Sequence, residues 1–139
     1  MKGNERAQSS LPEPEGKARI LVVEDEAIIA KDLASILQRQ GHCVIGPAAS
    51  GEESIFRAGN ERPDLVLMDI SLKGLINGVD AAREIKARWG IPIIYLTAYG
   101  EESPLGRPGR ENGSPRLLKP FDDDDIKRIL SVYLRQNNN

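Results

Sequence analysis

Leu65-Val66-Leu67-Met68-Asp69 is a run of four apolar residues that ends in one carboxylate. Pro63 precedes it, and Ser71, Lys73, Gly74, Asn77 and Gly78 follow. A short continuous apolar run bounded by turn formers reads as a strand buried on both faces. A charge at the carboxyl end of such a strand stands where open α/β sheets bind their ligands. Asp is also a common turn residue, so the other strand ends must decide what this one does.

Working outward, Arg19-Ile20-Leu21-Val22-Val23 is a second buried run, and it ends in Glu24-Asp25-Glu26. These three carboxylates open a helix, where acids meet the positive end of the macrodipole. That helix is expected from about Ala27 to Gln40, with Ile29, Leu33, Ile36 and Leu37 on its inner face and Gly41 past its end. Cys43-Val44-Ile45-Gly46 reads as the next strand. Ser50 with Glu53 matches a capping box for a helix from about Gly51 to Asn60.

Beyond Asp69, a helix is expected over roughly Val79 to Arg88, with Val79, Ala82, Ile85 and Trp89 turned inward and Gly90 and Pro92 as its stop. Ile93-Ile94-Tyr95-Leu96 is a fourth strand ending at Thr97. Leu117-Leu118 is a short fifth one ending in Lys119-Pro120. The last helix opens at Asp122 and runs to about Gln136, with Ile126, Ile129, Leu130, Val132 and Tyr133 spaced to pack. Asp122 to Asp125 read as a cap and first-turn acids rather than a calcium loop.

Strands that alternate with helices imply a doubly wound α/β fold, a parallel sheet with helices on both faces. One segment breaks the rhythm. Between Gly100 and Pro115, seven of sixteen residues are Gly or Pro, so the helix due there is expected to be short or absent. Residues 1–17 are polar with scattered Gly and Pro and are expected to form a flexible arm; residues 137–139 are expected to fray. The folded unit is placed at 18–136.

Length and composition exclude several classes. The chain has 139 residues, enough for one domain with one core. A net charge of -2 gives no case for nucleic acid or an anionic membrane. No apolar run approaches the roughly 20 residues that span a bilayer, and Met1 to Lys17 lacks the apolar block of a signal peptide. The expected compartment is the cytoplasm. The one cysteine, Cys43, cannot form an internal disulfide and is expected to pack as a small hydrophobe. The one histidine, His42, sits beside Gly41 and is expected to be solvated.

If all strands run parallel, one sheet edge collects Glu24, Asp25, Asp69, Thr97 and Lys119. Three carboxylates crowded together repel unless a cation joins them. Hard oxygens in small number suit Mg2+, which keeps waters and accepts a substrate phosphate. A carboxylate can attack phosphorus covalently, and phosphoryl transfer needs positioning and charge neutralisation above all.

Val22-Val23-Glu24-Asp25-Glu26, Leu67-Met68-Asp69, Leu96-Thr97-Ala98 and Leu118-Lys119-Pro120-Phe121 together resemble the receiver domain of two-component response regulators. The resemblance covers about Ala18 to Arg135. It implies a five-stranded parallel sheet in the order 2-1-3-4-5. It also implies that Asp69 accepts the phosphoryl group, and that Asp25, Asp69 and the Ser71 carbonyl hold Mg2+ while Glu24 acts largely through water. By the same resemblance Thr97 and Lys119 contact the phosphoryl group, and the donor is a phosphohistidine on a histidine kinase or a phosphotransfer protein. The chain departs from the family at three points. Glu24 stands where Asp is frequent, Arg116 stands where an aromatic switch residue is usual, and the Gly/Pro-rich segment replaces a helix.

The resulting expectation is a phosphoacceptor that turns over no external substrate. It acts as a stand-alone shuttle or as a receiver excised from a larger protein, with no output domain after Asn139. A degenerate receiver serving as a protein-interaction module is the alternative. A Mg2+-dependent aspartyl-phosphate phosphatase is a further one, although Ser71 stands where such enzymes need a second acid. Ile28 lies about 100° from the Ile29–Leu33–Ile36 stripe and one turn from Asp25, which makes it a candidate docking residue. Arg116, with Thr97, is the candidate for the switch that an aromatic residue performs elsewhere.

Overall fold

Side chains along the central strands point alternately to the two faces of the sheet, and because nearly all of them are buried they build two apolar layers on it. The computed structural model describes residues 17–98 and 115–137. The arm over 1–16, nearly all of the Gly/Pro-rich segment and the last two residues lie outside the described residues. Elements follow in the order β1 (Arg19–Val23), α1 (Ala27–Arg39), β2 (Cys43–Ala48), α2 (Gly51–Glu61), β3 (Leu65–Asp69), α3 (Gly78–Trp89), β4 (Ile93–Ala98), β5 (Arg116–Lys119) and α4 (Asp123–Asn137). The five strands are all parallel, in the order β2-β1-β3-β4-β5.

Leu21, Val23, Val66, Met68, Ile93 and Tyr95 point to one face, where α2 and α3 contribute Ala58, Val79, Ala82 and Ile85. Ile20, Val22, Leu65, Leu67, Ile94 and Leu96 point to the other, where α1 and α4 contribute Leu33, Ile36, Leu37, Ile126 and Leu130. The three middle strands are therefore apolar on both faces, which is why the sequence shows them as unbroken runs.

Local chemistry fixes the helix starts. Ser50 Oγ accepts the Glu53 N–H, and the Glu53 carboxylate reaches back to the Ala49 N–H, one residue earlier than a standard capping box. Asn77 Oδ1 accepts the Asp80 N–H at the start of α3. Asp122 and Asp125 cap each other reciprocally before α4. The Arg39 guanidinium forks onto the Asp123 carboxylate and so joins the end of α1 to the start of α4.

Several expectations need correction. His42 is buried rather than solvated: its Nδ1 accepts the Ala18 N–H at 3.0 Å while its own N–H donates to the Leu37 carbonyl. The bond to Ala18, 24 positions earlier, holds the ring against the start of the first strand. Cys43 is exposed, because it opens an edge strand with one neighbouring strand. Val132 is exposed as well, since it lies about 200° around α4 from Leu130, off the Ile126–Leu130–Leu134 stripe. Leu118 is half exposed, because β5 is the other edge and only Leu117 of that pair turns inward.

Candidate functional site

Parallel pairing brings the carboxyl ends of β1, β3, β4 and β5 to one edge of the sheet; β1 delivers two polar side chains there and each of the others delivers one. Val23 pairs with Met68, Asp69 with Leu96, and Ala98 with Lys119. The residues after β1 and at the end of β3 therefore face the end of β5. Glu24, Asp25 and Asp69 each offer a carboxylate oxygen, and those oxygens lie within 4.8 Å of one another. Glu24 and Asp69 are buried at 2% exposure each, so their charges are not relieved by bulk water.

Lys119 answers this charge. Its Nζ lies 2.9 Å from Glu24 Oε1 and 3.6 Å from Asp69 Oδ1. The first contact is a close ion pair between buried groups, and Glu24 Oε1 has no other partner among the described residues. The other Glu24 oxygen accepts the Glu26 N–H, which holds the side chain against the start of α1. Burial pushes the Glu24 carboxyl up to about 7; the Asp69 charge adds to this, and the Lys119 ammonium and the Glu26 amide oppose it. Burial works against the Lys119 ammonium, but Glu24 and Asp69 outweigh it and hold the lysine firmly protonated.

Backbone amides orient the other carboxylates. Ser71 N–H donates to Asp69 Oδ1 at 2.9 Å, which pins the side chain across the turn after β3. Lys73 N–H donates to Asp25 Oδ2 at 3.4 Å, so the loop after β3 also touches the loop after β1. Sequence reading missed Lys73, because an amide donor leaves no side-chain signature.

Thr97 is buried at the same strand edge, paired with Leu118, and has no hydrogen bond or ion pair to the carboxylates among the described residues. Arg116 opens β5 opposite Tyr95, about 10 Å along the strand from Lys119. Ile28 is 84% exposed on the first turn of α1. Beside it a cavity of about 460 Å³ is lined by Ile28, Ile29, Asp32, Lys119, Pro120 and Phe121, so it shares Lys119 with the acidic cluster. Leu75, in the loop after β3, is 95% exposed. The sequence offered no signal for it, since an isolated leucine in a loop reads equally well as packed.

The donor set fits a hard divalent cation. Three carboxylates converge, two of them buried, and Lys119 is the cation that faces two of the three.

The model of the response regulator receiver domain matches residues 20–131. The chain belongs to the receiver-domain family. A transcriptional regulatory protein of Mycobacterium tuberculosis, PdtaR, is 37% identical over 108 residues, covering 78% of this chain and 52% of the relative. The chain thus spans about half the length of the curated relatives it matches. Among solved structures, the signal receiver domain of a modulated diguanylate cyclase from Desulfovibrio desulfuricans is similar with a TM-score of 0.76 and 30% identity, covering 88% of this chain and 99% of that one. The receiver domain of sensor histidine kinase PA1611 from Pseudomonas aeruginosa, with magnesium coordinated in its active site cleft, has a TM-score of 0.74 and 30% identity, covering 85% and 98%. An acidic cluster in this chain stands in the same fold in which that relative holds its metal.

Proposed function

We propose that this chain is the phosphoacceptor of a two-component relay. Asp69 takes a phosphoryl group from a phosphohistidine on a partner kinase or phosphotransfer protein, and the chain then changes conformation to signal. The observation that carries the reading is the Glu24–Asp25–Asp69 cluster with Lys119 against two of its members.

In the step itself, an Asp69 carboxylate oxygen forms the new bond to phosphorus. The P–N bond of the donor breaks, its electron pair stays on the imidazole, and an acyl phosphate results. Asp25, Asp69 and the Ser71 carbonyl would hold a Mg2+ ion, with Glu24 acting largely through water, and the ion would supply neutralisation of the phosphoryl charge. Lys119 is already within 3.6 Å of Asp69 and supplies a second positive charge at the same place. Thr97 donates its hydroxyl to a phosphoryl oxygen, and Thr97 with Arg116 carries the conformational response. The Ser71 amide holds the nucleophile in its rotamer throughout.

The donor docks over Ile28 and the adjoining cavity, where an apolar side chain of the partner fills the space next to Lys119. The chain turns over no external substrate and works in the cytoplasm, with neither nucleic acid nor membrane as its target. Its folded unit is 18–136. A Mg2+-dependent phosphatase is disfavoured by Ser71, which cannot serve as the second acid. A pure interaction module is disfavoured by the retention of Asp69, Thr97 and Lys119 together.

Mass spectrometry after incubation with acetyl phosphate and Mg2+ tests the reading. One phosphoryl group is expected on the wild type and none on Asp69→Asn or in excess chelator. Equal labelling of Asp69→Asn would defeat it.

A further inference from the structure

The first residue of α3 lies against the backbone of the proposed phosphoacceptor. A Cβ built on Gly78 would come 2.1 Å from the Asp69 carbonyl oxygen, 2.9 Å from Ile70 Cα and 3.0 Å from the Asp69 carbonyl carbon. All three are backbone atoms, so no side-chain rotation relieves the overlap. Even one methyl group forces α3 and the end of β3 apart by more than about 1 Å to reach ordinary contact.

We infer that Gly78 is a positioning residue for Asp69: its bare Cα lets α3 bear directly on the Asp69 peptide and sets where that carboxylate stands among Glu24, Asp25 and Lys119. This rests on the phosphoacceptor reading above. Three constraints meet on one residue. The Asp69 side chain is held by the Ser71 amide, its strand is held by pairing to Leu96, and its carbonyl side is held by α3. Asn77 fixes the register of the third constraint, because its side chain caps α3 through the Asp80 N–H directly before the contact. In-line transfer is sensitive to displacements of about 1 Å, which can cost on the order of 100-fold in rate.

The fold supplies its own control. Gly59 on α2 is also tight, against a side chain rather than backbone: a Cβ there would come 2.6 Å from the Trp89 ring. Gly59→Ala therefore overpacks the same α2–α3 layer without touching the carboxylate edge. Ser50→Ala likewise removes a helix cap that matches the one lost in Asn77→Ala, at the start of a different helix.

The experiment measures the rate of acetyl phosphate labelling on Asp69, per folded molecule, and the Mg2+ concentration that gives half the maximal rate. Gly78→Ala is expected to label at least tenfold more slowly than Gly59→Ala and to need more Mg2+, although both lower the melting temperature. Asn77→Ala is expected to label several-fold more slowly than Ser50→Ala. Labelling of Gly78→Ala within threefold of Gly59→Ala would reduce the glycine to a packing role and overturn the inference. If Gly78→Ala yields no folded protein, the cap pair decides: equal rates for Asn77→Ala and Ser50→Ala overturn it too. A wild type that never labels would instead bring down the phosphoacceptor reading and this inference together.

Discussion

Glu24→Gln in metal-free protein puts the electrostatics of the acidic cluster to the test. The wild-type carboxyl is raised to about 7 in the fold from an ordinary 4.5, chiefly because it is buried. The folded state therefore keeps the Glu24 proton over a window in which the unfolded chain has already lost it. The stability tied to this group is fully present below about 4.5 and is lost as pH rises through about 7. At about 1.4 kcal/mol per pH unit, the cost of ionising Glu24 in the fold comes to about 3 kcal/mol at pH 8. Glutamine keeps the shape and never ionises, so Glu24→Gln in chelator at pH 8 is expected to be more stable by about 2–3 kcal/mol. For a domain of this size that raises the melting temperature by on the order of 10 °C. At pH 4.5 the two proteins should melt together. The assay is a melting series from pH 4.5 to 8.5 in chelator, repeated in excess Mg2+. Saturating metal at 100 times its Kd stabilises the wild type by about 2.7 kcal/mol, and the variant should gain less. A Glu24→Gln protein that melts below wild type at pH 8 in chelator would refute the reasoning, because the buried charge would then be stabilising rather than costly.

Lys119→Met is the complementary change: it leaves Glu24 and Asp69 buried without their cation and should cost about 3 kcal/mol at pH 8 in chelator, with far less loss at pH 4.5, as read by urea unfolding. His42 should make stability fall as pH drops below about 6.5, because burial lowers its pKa and protonation would turn Nδ1 from an acceptor into a second donor facing Ala18. His42→Asn, which keeps an acceptor without titrating, should flatten that part of the pH–stability curve, and an unchanged slope would show that another group sets it. Ile28→Asp should slow phosphotransfer from a cognate kinase while acetyl phosphate labelling stays unchanged; equal loss in both assays would point to misfolding rather than lost docking.

The architecture was legible because the parallel sheet writes itself into the chain. Ile20 to Val23, Leu65 to Met68 and Ile93 to Leu96 are apolar without interruption, and such runs occur when both faces are covered. The carboxyl-edge residues were legible for the same reason, since parallel strands put every strand end on one side. What escaped notice depended on long-range geometry. His42 looked like a turn residue, and only its approach to Ala18 across 24 positions buries it. Cys43 sits at the first position of a strand, and its exposure follows from β2 being an edge. The sequence located Asp25 and Asp69, but the amides of Lys73 and Ser71 that orient them belong to the backbone and are silent in any residue pattern. Val132 was grouped with the inner stripe of α4 because it is apolar, although helical periodicity puts it on the outer side.

Trp89 has a use of its own. It is the chain's sole tryptophan and sits at the carboxyl end of α3, against Gly59 of α2, with the Arg62 and Arg88 guanidinium groups 5.4 and 5.7 Å from its ring centre. The opposite end of α3 meets Asp69, about 17 Å away along the helix axis. The indole is therefore a built-in optical gauge at the far end of the lever that touches the reaction centre. A cation or phosphoryl group bound among the carboxylates is too distant to quench it by contact. A change in its emission on loading the site then reports rearrangement around the α2–α3 contact, which makes ordinary fluorescence of the unlabelled protein a meter of long-range movement.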